Sequence, residues 1–142
     1  LEEVEVNYNQ GYFMLIDDSH NSSILALENA LRFFAKKRMQ YSGKAILVLG
    51  EVADIEGDGV FEHNQLKELI LLCNADHVFL WGGAFKELAR EIPGAYCCDD
   101  INELAGLVKT VLIDDSVVLV KGSAASKFYM VADTLKELEQ IQ

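Results

Sequence analysis

Three polar turns in the sequence carry residues whose types and spacing suit chemistry, and each turn follows a short apolar run. The first turn contains Asp17, Asp18, His20, Asn21 and Ser23. Carboxylates accept hydrogen bonds from sugar hydroxyls, while imidazole and amide groups stack on or pair with flat heteroaromatic rings. We therefore interpret this turn as a candidate nucleoside-binding segment. The structural alternative is that Ser22 or Ser23 caps a helix that starts near Ile24.

The second turn is long and acidic, and it runs from Gly50 and Glu51 to His63. Its acidic residues do not fall on alternate positions around a central glycine, so a calcium loop is excluded. A solvated connection with a surface histidine is the structural interpretation. The residues of this turn alone assign no further role to Glu51 and His63.

The third turn is formed by Lys121, Gly122 and Ser123 at the end of an apolar run. A lysine at the end of a buried strand is unfavourable unless its ammonium group faces solvent or an anion. Lys121 is therefore the candidate catalytic residue, and a salt bridge to Asp17 or Asp18 is the structural alternative. Neither Gly-x-x-x-x-Gly-Lys-Ser/Thr nor Gly-x-Gly-x-x-Gly occurs, so we expect nucleotide contacts but no phosphate-binding loop.

Alternation of short apolar runs with amphipathic stretches predicts an α/β fold in which these turns lie at the carboxyl ends of parallel strands. The predicted strands are Val4–Tyr8, Tyr12–Ile16, Ala45–Leu49, His77–Trp81, Ala95–Cys97 and Val117–Val120. The connection between the first two runs is short, which predicts one antiparallel edge strand at the N-terminal side. The predicted core-facing helix residues include Leu25, Leu27, Leu31, Phe34, Met130, Val131, Leu135 and Leu138.

Composition limits the classes of partner. The sequence has 12 Lys and Arg against 23 Asp and Glu and a formal charge of -11, which disfavours nucleic acid and anionic membranes. Neither a membrane-spanning run nor a signal peptide is recognisable, so we expect a cytoplasmic location. Three cysteines without ligand spacing indicate buried thiols and no metal site. We expect residues 1–142 to form a single domain, cut from a longer chain because the sequence enters directly on a strand.

Taken in order, the three turns resemble those of the C-terminal domain of the Mur ligase family. The motifs that carry the resemblance are Leu15-Ile16-Asp17-Asp18-Ser19-His20-Asn21-Ser22-Ser23, Val48-Leu49-Gly50-Glu51 with His63 twelve residues later, and Val118-Leu119-Val120-Lys121-Gly122-Ser123. The resemblance spans essentially the whole chain. It implies a Rossmann-like three-layer sandwich with a mostly parallel sheet.

The resemblance also implies an activity, namely ATP-dependent peptide-bond formation in peptidoglycan synthesis. The most similar branch of the family adds the amine dipeptide D-alanyl-D-alanine to the UDP-sugar peptide UDP-N-acetylmuramoyl-tripeptide. The complete enzyme would use ATP and Mg²⁺, neither held by this domain alone. An N-terminal domain would hold the UDP-sugar, and a central ATP-binding domain would be the partner over which this domain closes.

Individual residues take their expected roles from the family. Asp17 and Asp18 match aspartates beside the ribose, and Asn21 matches an asparagine near the adenine. Lys121, Gly122 and Ser123 match a turn facing the active site, while Glu51 and His63 match an acidic position and the histidine that ends the long loop. The resemblance therefore implies that Glu51, His63, Gly122 and Ser123 face the substrates.

The sequence departs from the family at four positions, because His20 replaces a tyrosine, Ser23 an asparagine, Ile24 a proline and Ala124 an arginine. These departures leave the amine substrate open. Two other classes stay open. Asp17-Asp18 after the first parallel strand and Lys121 after the last also resemble a receiver-like phosphoacceptor signalling domain, and the departures fit a non-catalytic α/β binding module.

Overall fold

The computed structural model describes residues 1–20, 23–51 and 60–140, whose strands form a six-stranded sheet in the order β1-β2-β6-β3-β4-β5. The strands are β1 Glu2–Tyr8, β2 Gly11–Asp18, β3 Ala45–Gly50, β4 His77–Trp81, β5 Ala95–Cys98 and β6 Ser116–Lys121. β1 pairs antiparallel with β2, and the remaining neighbours are parallel. The predicted α/β class and antiparallel edge strand are confirmed.

Helices cover both faces of this sheet. The α-helices are α1 Ile24–Lys37, α2 Val60–Cys73, α3 Lys86–Glu91, α4 Leu104–Val111 and α5 Tyr129–Lys136. Short 3-10 turns span Arg38–Gln40, Gly83–Phe85 and Ile101–Glu103. Within the described ranges, no helix is long and apolar enough to cross a membrane.

Successive side chains of the inner strands enter two separate cores. Ile16, Leu47 and Leu119 pack with α1, α2 and α3 on one face. Leu15 and Val120 pack with α4 and α5 on the other face. Because side chains alternate along a strand, covered strands are apolar throughout, and this explains the continuous apolar runs of β3 and β6. The structure is therefore the three-layer sandwich that the sequence resemblance implied.

Two predicted core positions are wrong. Leu25 is 66% exposed and Met130 is 45% exposed. Their neighbours Leu27 and Val131 are buried instead. Leu25 lies two residues from Leu27, about 200° around the helix, and Met130 lies one residue from Val131, about 100° around it. Both side chains therefore point away from the core-facing side of their helices.

The hairpin between β1 and β2 is held by a glycine that no other residue can replace without strain. Gly11 has φ +129°, and a Cβ there would lie 2.1 Å from the Asp114 carboxylate. Asp114 in turn accepts a hydrogen bond from the Tyr12 amide at 3.0 Å. The short turn between β1 and β2 thus depends on the backbone conformation of Gly11 and on the contact from Asp114 in the loop before β6.

The connections make the carboxyl end of β6 a crevice. β2 and β3 are followed by helices of the first face, α1 and α2, whereas β6 between them is followed by α5 on the other face. Neighbouring strand ends whose chains leave in opposite directions leave a gap, and ligands of open α/β sheets bind in such gaps. The fold therefore directs attention to the ends of β2, β6 and β3.

Candidate functional site

Asp17 and Asp18 end β2 but point to opposite faces of the sheet. The Asp17 carboxylate accepts a hydrogen bond from Ser19 Oγ at 2.5 Å and pairs with Lys136 Nζ of α5 at 2.9 Å. Asp18 pairs with Lys121 Nζ of β6 at 3.1 Å. The alternation of side chains along a strand gives the two carboxylates different partners, although both line the cleft beside the end of β2.

Asp17 has a strongly structural environment. Its side chain is buried, which favours the neutral acid, but hydrogen bonds from Ser19 and Lys136 outweigh burial and lower the pKa of Asp17. The hydrogen bond to Asp17, with help from Glu2, raises the pKa of Lys136. Of the two aspartates, Asp18 is the more accessible, because it is only half-buried.

Lys121 lies inside the protein. Its side chain is 2% exposed, and its ammonium group contacts Asp18 across the neighbouring strand ends. The salt bridge proposed as the structural alternative is therefore present, with Asp18 as the partner. Of the two surroundings expected for this ammonium group, solvent or an anion, the structure shows the anion, because a charge buried at the end of β6 requires a charged partner within the fold.

Among the other residues of the first turn, Ser23 is the helix cap. Its Oγ accepts a hydrogen bond from the Ala26 amide at 3.0 Å at the start of α1. The capping alternative is confirmed, and a contact from Ser23 to a nucleotide stays a prediction. His20 is exposed beside the cleft, whereas Asn21 and Ser22 lie outside the described residues.

Gly122 has a packing role after β6. A Cβ there would lie 2.3 Å from the ring of Phe128, and one at Gly50 would lie 2.8 Å from the same ring. Phe128 is fully buried, so its ring fills the space between the ends of β6 and β3. Ser123 then closes the turn, since its Oγ accepts a hydrogen bond from the Ser126 amide at 3.1 Å.

Glu51 and His63 do not join the cluster at Asp18. Glu51 follows β3 and lies against Gly82, where an added Cβ would approach the Glu51 Cβ to 2.5 Å. His63 lies within α2 and contacts Glu91 of α3 through its Nε2. Our description of His63 as the end of the long loop is wrong, because α2 already begins at Val60. Residues 52–59 of that loop lie outside the described ranges.

The His63 contact has an electrostatic consequence on α3. The hydrogen bond from His63 and the nearby Lys67 ammonium, 3.5 Å from the carboxylate, lower the pKa of Glu91. This arrangement ties α2 to α3, and a substrate contact by His63 stays a prediction.

An open cleft of about 350 Å³ lies beside the end of β2. Its lining residues are Leu1, Glu2, Asp17, Asp18, Ser19, His20, Asp133 and Lys136. The cleft offers carboxylate acceptors, the Lys136 ammonium group and the His20 imidazole ring, which together suit hydroxyl groups and a flat ring. Phe128 fills the β6–β3 side of the crevice, so the open space lies on the β2 side.

Two residues of this region, Lys136 and Tyr129, were not predicted from the sequence. Lys136 binds Asp17, and Tyr129 stacks on His20. Both belong to α5, which lies more than a hundred residues from β2 in sequence. A lysine in a last helical turn is common for its favourable interaction with the helix dipole, so its spacing carries no signal of the contact.

The structure also bears on metals and thiols. In the ranges that the structure describes, no three His, Cys, Asp or Glu side chains are grouped so that they could hold an ion. Cys73 and Cys98 are buried free thiols, and Cys97 is partly buried. Burial raises the pKa of Cys73 to about 12, so this thiol is unreactive at neutral pH.

Comparison with known proteins finds likeness at the level of structure. No family model and no curated protein matches the sequence. A domain assigned to a UDP-N-acetylmuramate:L-alanyl-γ-D-glutamyl-diaminopimelate ligase of Haemophilus ducreyi matches with TM-score 0.65 and 18% identity, over 96% of this chain and 97% of that domain.

Two longer ligases match equally well. The MurF ligase of Thermotoga maritima in complex with ADP has TM-score 0.69 and 20% identity, over 94% of this chain and 30% of that one. A murein peptide ligase of Psychrobacter arcticus has TM-score 0.66 and 15% identity, over 96% of this chain and 29% of that one. The chain has the fold of a Mur ligase domain. It spans under a third of these two longer ligases.

Proposed function

We propose that this chain is the C-terminal domain of an ATP-dependent Mur ligase that forms a peptide bond in peptidoglycan synthesis. The observation that carries the proposal is the match of nearly the whole chain, 94% in the MurF comparison, to one domain of such ligases. The motifs at the ends of β2, β3 and β6 support it independently, because they stand in the family's order. The proposal places the protein in cell-wall biogenesis, with the cytoplasmic location and the roles in cell shape and division that this pathway implies.

In this proposal residues 1–142 are one domain of a longer polypeptide. The remainder supplies an N-terminal domain for the UDP-sugar and a central ATP-binding domain with the phosphate-binding loop. The present sequence has no such loop, so the domain by itself is expected to be inactive and to hold neither ATP nor Mg²⁺. When bound to the central domain, Mg²⁺ would neutralise phosphate charge during transfer.

The proposed reaction has two chemical steps. A substrate carboxylate oxygen attacks the γ-phosphorus of ATP, the bond to the bridging oxygen breaks, and ADP and an acyl phosphate result. The amine nitrogen then attacks the acyl carbon, inorganic phosphate leaves, and the nitrogen loses a proton. Closure of this domain supplies orientation and excludes water from the acyl phosphate.

Two residues carry the domain's share of this reaction. Asp18, half-buried at the end of β2, is the proposed acceptor of hydrogen bonds from the ribose hydroxyls. Lys121 is the proposed catalytic residue. It is held by Asp18 at the crevice between β2 and β6, and closure would use its charge beside the reacting groups. Asp17, which is buried between Ser19 and Lys136, is a supporting residue in this account.

We propose D-alanyl-D-alanine as the amine and UDP-N-acetylmuramoyl-tripeptide as the acceptor, on the strength of the sequence motifs. The structural likeness alone does not select them, because ligases with different printed specificities match with TM-scores of 0.65 and 0.69. The departures at His20, Ser23, Ile24 and Ala124 lie in the turns that would face substrates, so the amine is the first property to test.

The receiver interpretation fails on topology. Receiver domains have the parallel strand order 2-1-3-4-5, which places the last strand at an edge. Here the last strand, β6, lies between β2 and β3. The middle parallel strand, β4, is followed by Gly82 and Gly83 and so lacks the aspartate that a receiver phosphorylates.

The test uses the full-length polypeptide that contains this chain. Purified protein is incubated with ATP, Mg²⁺ and UDP-N-acetylmuramoyl-tripeptide, and phosphate release is measured with D-alanyl-D-alanine, with single amino acids and with no amine. Release that requires the dipeptide supports both the ligase and its amine. Release with another amine supports the ligase and replaces the amine. Absence of amine-dependent release with every amine would favour the non-catalytic binding module.

A further inference from the structure

An aromatic ring pair joins the first turn to α5. The imidazole of His20 and the phenol ring of Tyr129 are nearly parallel, with centroids 5.4 Å apart and planes 6° apart. This is the offset-stacked arrangement that aromatic pairs prefer. His20 comes just after β2 and Tyr129 opens α5, so the pair connects segments far apart in sequence.

Both rings are carried by anchored backbone. Ser19, directly before His20, is fully buried and bound to Asp17 through its hydroxyl at 2.5 Å. Phe128, directly before Tyr129, is fully buried between Gly50 and Gly122. Neighbours held this firmly limit the positions that the two rings can take, and a preset ring loses little entropy when a ligand binds.

The two rings differ in their relation to the cleft. His20 is exposed and lines the cleft, whereas Tyr129 is half-buried and is not among the lining residues. The geometry therefore assigns Tyr129 the support of the imidazole and His20 the contact surface.

We propose that Tyr129 is a positioning residue that holds His20 flat as a stacking surface for the base of the nucleotide. The inference rests on the proposed function, which brings a nucleotide to this cleft. A flat ring stacks on such a surface without needing a particular hydrogen-bond pattern, so the pair would contribute affinity for the base and little discrimination among bases. The sequence resemblance assigns no role to Tyr129.

The experiment measures binding to the full-length polypeptide with a 2-aminopurine analogue of ADP, whose fluorescence falls when its base stacks. Affinity and quenching are compared for wild type, Tyr129→Leu, Tyr129→Phe and the matched control Tyr96→Leu, which removes a 53%-exposed ring from β5. We expect Tyr129→Leu to weaken binding roughly three- to tenfold and to lose quenching. Tyr129→Phe keeps the ring and should stay within about twofold of wild type.

Thermal unfolding of each variant is measured in parallel. Should Tyr129→Leu fail to fold, His20→Ala and His20→Phe replace it, and only the alanine variant should lose quenching. The proposal is overturned if the ring-deleting variant behaves like Tyr96→Leu, or if Tyr129→Phe loses as much affinity as Tyr129→Leu.

The outcomes separate this inference from the proposed function. If wild type binds the analogue with quenching but forms no peptide bond, the ligase proposal is wrong and the stacking role of the His20–Tyr129 pair is supported. If wild type forms the peptide bond while Tyr129→Leu binds the analogue normally, the positioning role of Tyr129 is wrong and the ligase proposal stands. If wild type does not bind the analogue, the proposal that the His20–Tyr129 pair stacks on the base is wrong.

Discussion

At the residue scale, one step along β2 separates two carboxylates with different surroundings. Asp17 turns toward α5 and is enclosed by Ser19 and Lys136. Asp18 turns toward the other face and meets Lys121. Because side chains alternate along the strand, we assign Asp17 a structural role and Asp18 a functional one. Substitution of Asp17 should therefore affect stability, and substitution of Asp18 should affect activity.

Asp17→Asn should destabilise the protein, by about 1 to 3 kcal/mol, the range for a hydrogen bond to a charged group. The pKa of Asp17 is lowered in the folded state, so its stabilisation is present above the unfolded pKa and is lost as pH falls through the folded pKa. Urea unfolding at several pH values should show the wild-type advantage shrinking below about pH 4. Asp133→Asn, in the same cleft but exposed, is the control and should show neither effect. An equal loss at all pH values would contradict this assignment.

Asp18→Asn in the full-length enzyme should raise the KM for ATP roughly fivefold to thirtyfold with a smaller change in kcat, because a ribose contact is shared by ground and transition states. Steady-state kinetics with ATP varied provide the measurement. Asp17→Asn, assayed on its folded fraction, is the control and should leave the KM within about twofold of wild type. The ribose assignment is wrong if KM is unchanged in folded Asp18→Asn.

Lys121→Met should have two separable effects. It leaves the Asp18 carboxylate without this partner near a buried strand end, which should cost about 3 kcal/mol of stability. In the full-length enzyme it should also lower kcat on the order of 10- to 100-fold, with a smaller change in the KM for ATP. Thermal unfolding and kinetics on the same preparations give both quantities.

Lys136→Met is the matched control for Lys121, since it also removes a lysine from a lysine–aspartate pair, on the other face of the sheet. It should lose stability and keep kcat. A Lys121→Met protein that is destabilised but turns over at the wild-type rate would remove Lys121 from the catalytic residues and leave it a structural lysine.

At the scale of elements, the end of β6 depends on the packing of one ring. Gly122→Ala places a methyl group 2.3 Å from the Phe128 ring, so we expect destabilisation by roughly 1 to 3 kcal/mol, as for other overpacked sites. Gly106→Ala in α4 is the control, because nothing lies within 4 Å of its added methyl group. It should stabilise by up to about 1 kcal/mol through helix propensity. Chemical unfolding of both variants tests the contrast, and equal effects would contradict the packing role.

Periodic signals in the sequence predicted the elements well and their neighbours poorly. The run Ala45–Leu49 is continuous because β3 is covered on both faces, and such local patterns are visible in sequence. The insertion of β6 between β2 and β3 is a non-local pairing with no local signal. For the same reason Asp17 and Asp18 could be predicted as strand-end carboxylates, whereas Lys136 and Tyr129 as their neighbours could not.

At the scale of the whole molecule, the chain combines a three-layer core with a cleft that we propose as one part of a nucleotide site. The described residues place strand-end carboxylates and the His20 imidazole along a cleft of about 350 Å³. Lys121 contacts Asp18, and Tyr129 stacks on His20. A formal charge of -11 disfavours unassisted binding of a triphosphate. These properties fit the proposed role of a domain that covers a nucleotide held by another domain.

The most direct test of the central claim follows an oxygen atom. The full-length polypeptide is given ATP, Mg²⁺, D-alanyl-D-alanine and UDP-N-acetylmuramoyl-tripeptide in which both oxygens of the terminal carboxylate are ¹⁸O, and the released phosphate is analysed by mass spectrometry. Because the carboxylate oxygen attacks the γ-phosphorus and leaves with phosphate, the account predicts one ¹⁸O atom per phosphate together with the ligated product. Phosphate released without ¹⁸O, or no phosphate that depends on the amine, would contradict the assignment of this chain to a carboxylate-activating ligase.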